Sequence, residues 1–261
     1  MTARRACALL LLPALVALGS CTSSGSKSTQ TGSPVPSGMP TDAAGLSSLV
    51  GSAVAGITSA HVNLGLNLSA TTLAGSGDEQ LSGGRLVGLD LTENLANGGG
   101  TIRLIVAGGK TYAKLPKKLN PFGKPWLLVS TNSTNPLVNQ LAPYLDSALS
   151  AVSLGSLSAL VGAAKSVTVK GTATIRGTQA THYSIDVEVA KLPASLPGRS
   201  ELTASGADTL PLELYVADDG RPLRAGPGLT VQGQDVAITV DFVNFNQPVS
   251  ITAPPSSQVG G

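Results

Sequence analysis

His61-Val62-Asn63-Leu64-Gly65-Leu66-Asn67-Leu68 is the stretch that decides the fold. Val62, Leu64, Leu66 and Leu68 alternate with His61, Asn63, Gly65 and Asn67. Successive strand residues point to opposite faces, so this period of two predicts a half-buried β-strand. Immediately upstream the period changes. Leu46, Leu49, Val50, Ala53, Val54 and Ile57 recur at helical spacing behind Thr41-Asp42, a plausible N-cap. An amphipathic helix therefore feeds the first strand. Gly51 and Gly56 weaken it, so packing has to hold it.

Downstream, the period of two returns repeatedly. Val87, Leu89 and Leu91 alternate after the Gly83-Gly84 turn, and Ile102, Leu104 and Val106 after Asn97-Gly98-Gly99-Gly100. Gly108-Gly109 turns the chain into a strand over 111–115. Asn135-Pro136 then opens a second helix, with Leu137, Val138, Leu141, Leu145 and Ala148 on its apolar face and a break or kink at Pro143. Leu154, Leu157, Leu160, Val161 and Ala164 suggest a third, short one. Further strands are expected at 167–175, 183–189, 212–216, 223–225, 229–232 and 236–242. The stretch 191–210 is rich in proline and reads as irregular, with at most one helical turn.

About ten strands and two or three helices thus fall in roughly 215 residues, the size of one domain. Strands come in blocks joined by short glycine turns, which predicts an antiparallel meander. The fold class is α+β: a large curled antiparallel sheet with helices on one face.

Composition bounds what such a domain can do. Charged residues are 12% of the chain, about half the usual ~25%. Hydrophobic residues make up 42% and aromatics only 3%, so the core is aliphatic. An aliphatic core can be a core alone, or the wall of a site for acyl chains, since CH₂ burial is non-directional and worth about 0.8 kcal/mol per group. The 17 basic and 15 acidic residues give +2, but Arg4 and Arg5 lie in the first twenty residues, which hold no acid. Beyond residue 20 the charges balance at fifteen each, which argues against nucleic acid as a partner. Lys114, Lys117, Lys118 and Lys124 form the nearest basic cluster and read as a solvated loop.

Catalytic patterns are missing. The two histidines, His61 and His182, have no nucleophile elbow to serve, and Gly75-Ser76-Gly77 and Gly155-Ser156 read as loop and helix. No ligand spacing suits zinc, no phosphate-binding glycine loop follows a strand, and too few oxygen ligands follow Asp218-Asp219-Gly220 to hold calcium. No enzyme and no cofactor are expected. A hydrolase would need one of the histidines beside a serine and an acid.

The N-terminus carries a different signal. Arg4 and Arg5 precede an apolar run of 13 residues, 6–18, too short to span a bilayer and the length of a signal-peptide core. It ends in Leu18-Gly19-Ser20-Cys21, which resembles the cleavage box of bacterial lipoprotein signals. The resemblance implies removal of 1–20 and lipidation of Cys21. Cys7 would go with the leader, leaving no disulfide in the exported chain. Residues 21–41, rich in Ser, Thr, Gly and Pro, read as a disordered tether with a reach of at most ~70 Å. The domain then spans 42–255, with 256–261 as a flexible tail.

Four further segments share an order and spacing. They are Gly108-Gly109-Lys110-Thr111-Tyr112-Ala113-Lys114-Leu115-Pro116 with Lys124-Pro125-Trp126; Gly177-Thr178-Gln179-Ala180-Thr181-His182-Tyr183 with Asp186; Leu212-Glu213-Leu214-Tyr215-Val216 leading to Asp219-Gly220-Arg221-Pro222-Leu223-Arg224; and Asp241-Phe242 with Asn246, Pro248-Val249 and Pro254-Pro255. Together they resemble the actinobacterial LppX/LprA/LprF/LprG lipoprotein family, over about residues 42–255. Ile175-Arg176-Gly177 departs from it, standing where an acidic-Gly turn is commoner.

The resemblance implies a half-barrel sheet similar to that of the LolA/LolB carriers. It also implies helices on the concave face and an apolar cavity between them for the acyl chains of lipids or glycolipids. It places the protein on the outer face of the plasma membrane, with a lipid exporter as a further partner. The expected cavity wall is Leu64, Leu66, Leu68, Leu89, Leu91, Leu104 and Val106 from the sheet, with Val50, Val54, Ile57, Leu141 and Leu145 from helices. The alternative is that these residues pack on each other as a dry core in a protein-binding or scaffold lipoprotein.

Overall fold

The computed structural model describes residues 38–68, 71–95, 99–120, 123–130, 133, 138–139, 142, 153–194, 196, 199–204, 206–231 and 234–260. The leader, Cys21 and most of the expected tether lie outside them, as do Leu141 and Leu145.

Helix α1 (Ala43–Ala55) starts where the sequence places its cap: Asp42 Oδ1 accepts from the Gly45 N–H at 2.8 Å. Its buried face is Leu46, Val50 and Val54. Residues just before the expected start at 42 also pack into the domain. Met39 is buried in the core, and the Pro40 carbonyl accepts from the Tyr183 hydroxyl at 3.0 Å. Helix α2 (Leu154–Gly162) is capped by Ser153, whose Oγ accepts from the Gly155 N–H, and buries Leu154, Leu157 and Val161. Helix α3 (Arg199–Ala204) is a short element within the proline-rich stretch.

The sheet has twelve strands. β1 (Ser59–Leu68), β2 (Thr71–Ser82), β3 (Arg85–Asn94), β4 (Thr101–Ala107), β5 (Lys110–Lys114) and β6 (Trp126–Val129) form one antiparallel meander. β7 (Ala164–Ile175), β8 (Thr178–Glu188), β9 (Thr209–Val216), β10 (Pro222–Val231) and β11 (Gln234–Val243) form a second. β11 closes back on β1 with His61 opposite Val243 and Leu64 opposite Val240. β12 (Val259–Gly260) adds to β6 in parallel. The order is β12-β6-β5-β4-β3-β2-β1-β11-β10-β9-β8-β7, so β12 and β7 are its two ends and the sheet is not closed.

The curl follows from the contacts. α2 touches both β3 and β8, which lie six strands apart in the order. In a flat sheet six steps of ~4.8 Å would separate them by about 29 Å. A nine-residue helix is only about 13 Å long. The sheet must wrap around α1 and α2, which places both helices on its concave face.

Three strands were not expected. β2 presents Gly75, Gly77, Glu79 and Leu81 to the same face as Leu64, Val62 and Ala60, its register partners and near neighbours on β1. Two glycines and a glutamate hide the apolar alternation. Gly77 is required there, because a Cβ would run into the Asp90 carbonyl of β3. β6 has four residues and β12 two, too short to show a period. The segments expected at 223–225 and 229–232 are one strand, β10. Residues 256–260, expected as a flexible tail, form a 3-10 turn and β12, and the Lys124 ammonium donates to the Ser257 carbonyl at 2.8 Å.

Candidate functional site

The candidate wall residues converge. Val50, Val54, Ile57, Leu89, Leu91 and Leu104 are each at most 2% exposed and belong to one apolar cluster, with Leu64 and Val106 packed against it. Val62 of β1 joins it, and Tyr183, Ile185, Val187, Leu212, Leu214, Val216, Val240 and Phe242 extend the cluster across the second meander. These residues are the inward half of each strand's alternation, so one period repeated over many strands builds a single aliphatic interior under α1 and α2. The backbones of Leu66 and Leu68 lie in β1 opposite Leu73 and Thr71. Leu141 and Leu145 are outside the described residues, although Val138 and Ala142 of the same segment are helical and buried.

Sequence reasoning missed polar groups inside, Thr181 and Glu79 among them. Glu79 on β2 is fully buried on the helix side of the sheet. The Leu154 N–H at the start of α2 donates to its Oε2 at 3.3 Å, and the Ser153 hydroxyl lies beside it. Burial pushes its pKa up to about 8, against the opposing pull of the Leu154 and Ser153 hydrogen bonds. At neutral pH the carboxyl is protonated and joins sheet to helix as a neutral hydrogen-bonded group.

On the opposite face, polar side chains link neighbouring strands. Asp241, with 7% of its side chain exposed, takes Arg224 Nε on Oδ1 at 2.5 Å, and Arg176 Nε and Arg224 Nη2 on Oδ2, both at 2.9 Å. Burial raises the Asp241 pKa, but the two guanidiniums outweigh it and hold the carboxyl below the usual carboxylate range. His182 Nε2 lies 2.5 Å from Glu213 Oε2, Ser184 Oγ donates to Glu213 Oε1 at 2.8 Å, and the imidazole stacks on Tyr215 at 4.2 Å. Here the glutamate stands between serine and histidine. The Ser184 hydroxyl donates to the acid rather than to the imidazole, so this trio does not set a base against a nucleophile. His61 Nδ1 is 2.7 Å from Asp78 Oδ1 on the next strand. Among the described residues no three metal-ligating side chains come together, and no helix is long and apolar enough to cross a membrane.

No family model and no curated protein matches the chain. Solved structures do. The lipoprotein LppX of Mycobacterium tuberculosis aligns over 79% of this chain and 98% of its own, at 16% identity and a TM-score of 0.50. The chain shares the LppX fold. LprF of Mycobacterium bovis aligns over 81% and 96%, at 18% identity and a TM-score of 0.48. A LolA-superfamily protein of Nitrosomonas europaea aligns over 83% and 96%, at 8% identity and a TM-score of 0.33. The resemblance read from the sequence is thus met at the level of fold. The LppX-like frame here is an open twelve-stranded sheet curled over two helices, with its aliphatic face inward.

Proposed function

We propose that this protein is a membrane-anchored lipoprotein that takes up acyl chains of lipids or glycolipids between its curled sheet and its helices. The observation that carries the reading is the aliphatic interior, built from the inward residues of both meanders under α1 and α2. Fold likeness to a lipoprotein supports it. In this reading 1–20 is a leader, Cys21 carries the lipid anchor, and 21–41 tethers the domain to the outer face of the plasma membrane. Acyl chains pass from the bilayer to an aliphatic site of similar polarity that keeps them out of water, and no bond is made or broken. The work is carriage rather than catalysis, with a lipid exporter as a further partner.

Two variants test it. Leu104→Trp adds bulk to a side chain that is 1% exposed on the inward face of β4. With a cavity that admits chains, it blocks lipid uptake and leaves the fold intact. With a solid interior, it overpacks and destabilises by about 1–3 kcal/mol. Lipid extraction and thermal unfolding of the same preparation separate the outcomes. Val87→Trp, on a side chain 44% exposed, serves as the control and changes neither.

A further inference from the structure

We propose that the cleft at the tip of the β7–β8 hairpin binds an oxyanion, a phosphate or carboxylate on a ligand with an apolar flank. The cleft is about 650 Å³ and lies where the hairpin tip, the start of β10 and the end of β11 meet. His61 and Asn63 alternate with the inward Val62 and Leu64 and so line it from the face away from the helices. It is distinct from the proposed acyl-chain site.

Its polar lining is rich in donors whose local acceptors are already engaged. Both oxygens of Asp241 are occupied by Arg176 and Arg224. Asp219 accepts from Arg221 Nε at 2.7 Å, and Asp78 is held by His61. Arg176 uses only Nε on Asp241, and its side chain is 52% exposed, so its terminal N–H groups face the cleft without a partner among the described residues. Arg221 also lines the cleft, stacked over the Phe245 ring at 5.0 Å with its Nε on Asp219. The Thr178 hydroxyl and the Asn63 amide complete the donor set. Asp241 needs one cation for neutrality and has two, so Arg176, Arg224 and Asp241 together carry one net positive charge.

The backbone shows that Arg176 is placed there at a cost. It has φ 47 and Gly177 φ 87, the left-handed pair of a tight hairpin turn. Asn, Asp or Gly is the usual first residue of such a turn, not arginine. Arg224 alone already makes two bonds to Asp241. The second guanidinium is therefore surplus to holding the strands and is suited to a bidentate oxyanion. Phe245 and Leu223 provide the apolar flank.

The test is NMR titration of the full chain with inorganic phosphate and with dihexanoyl phosphatidic acid, chloride holding the ionic strength constant. Saturable shifts are expected at the Arg176 and Arg221 Nε–Hε signals and at the amides of Val243, Asn244 and Phe245. Arg221→Gln, which leaves Asp241 with both its arginines, should weaken binding about tenfold or more. Arg176→Gln should do the same. Tighter binding of phosphatidic acid identifies a lipid head group as the ligand, and equal affinity a free oxyanion. Shifts that do not saturate, that centre on Lys117 and Lys118, or that persist unchanged in Arg221→Gln overturn the proposal.

Discussion

Glu79 shows most directly how one side chain ties the two layers together. An ionised carboxylate sealed between β2 and α2 would carry a large desolvation cost, and the protonated form avoids it. The folded pKa of about 8 lies above the ordinary 4.5. The native state therefore holds a proton that the unfolded chain releases, and stability from this group falls as pH rises from about 4.5 to about 8. Over that window the loss is on the order of 4 kcal/mol. Glu79→Gln keeps a neutral group of the same shape, so it should match the parent near pH 4.5 and exceed it near pH 8 in urea denaturation. Asp241 works in the opposite sense. Its lowered pKa contributes stability that is present above the ordinary carboxylate pKa and lost as pH falls below it. Asp241→Asn should cost about 2 kcal/mol at pH 7, with the difference from the parent shrinking in acid; the figure is held low because Arg176 and Arg224 are 52% and 33% exposed. Neither role was legible in the chain. A glutamate between two polar residues reads as exposed, and Arg176 is 65 residues from its partner.

At the scale of elements, legibility followed the inward residue. β3 through Leu89 and Leu91, β4 through Ile102, Leu104 and Val106, β9 through Leu212, Leu214 and Val216, and β1 through Val62 and Leu64 show the inward alternation and declare themselves. α1 shows its face through Leu46, Val50 and Val54, and its start through Asp42. β2 was silent because backbone proximity, not side-chain burial, selects its inward residues at 75 and 77. Gly77→Ala tests this. Its Cβ would meet the Asp90 carbonyl, so β2 and β3 must separate locally. The variant should lose roughly 2–4 kcal/mol by denaturant titration, with hydrogen-exchange protection falling first along the β2–β3 ladder. β12 was invisible for another reason: two residues carry no period, and the edge they cover on β6 is created only by the fold.

For the whole molecule, a sheet of twelve strands among the described residues curls, and the curl turns separate amphipathic strands into one inward apolar face. Six of the twelve wall residues read from the sequence are buried in that face and two more pack against it, because period and curl together determine which side chains meet. What that interior holds is the central claim. Native mass spectrometry of residues 38–261, which keep the buried Met39 and the Pro40 carbonyl bonded to Tyr183, is the measurement to make, on protein secreted from an actinobacterial host and purified without detergent. A stoichiometric mass excess is expected, one that organic extraction identifies as acyl lipid and that leaves only on denaturation. A bare polypeptide mass, unchanged after incubation with envelope lipids, would contradict it and make the interior a dry core.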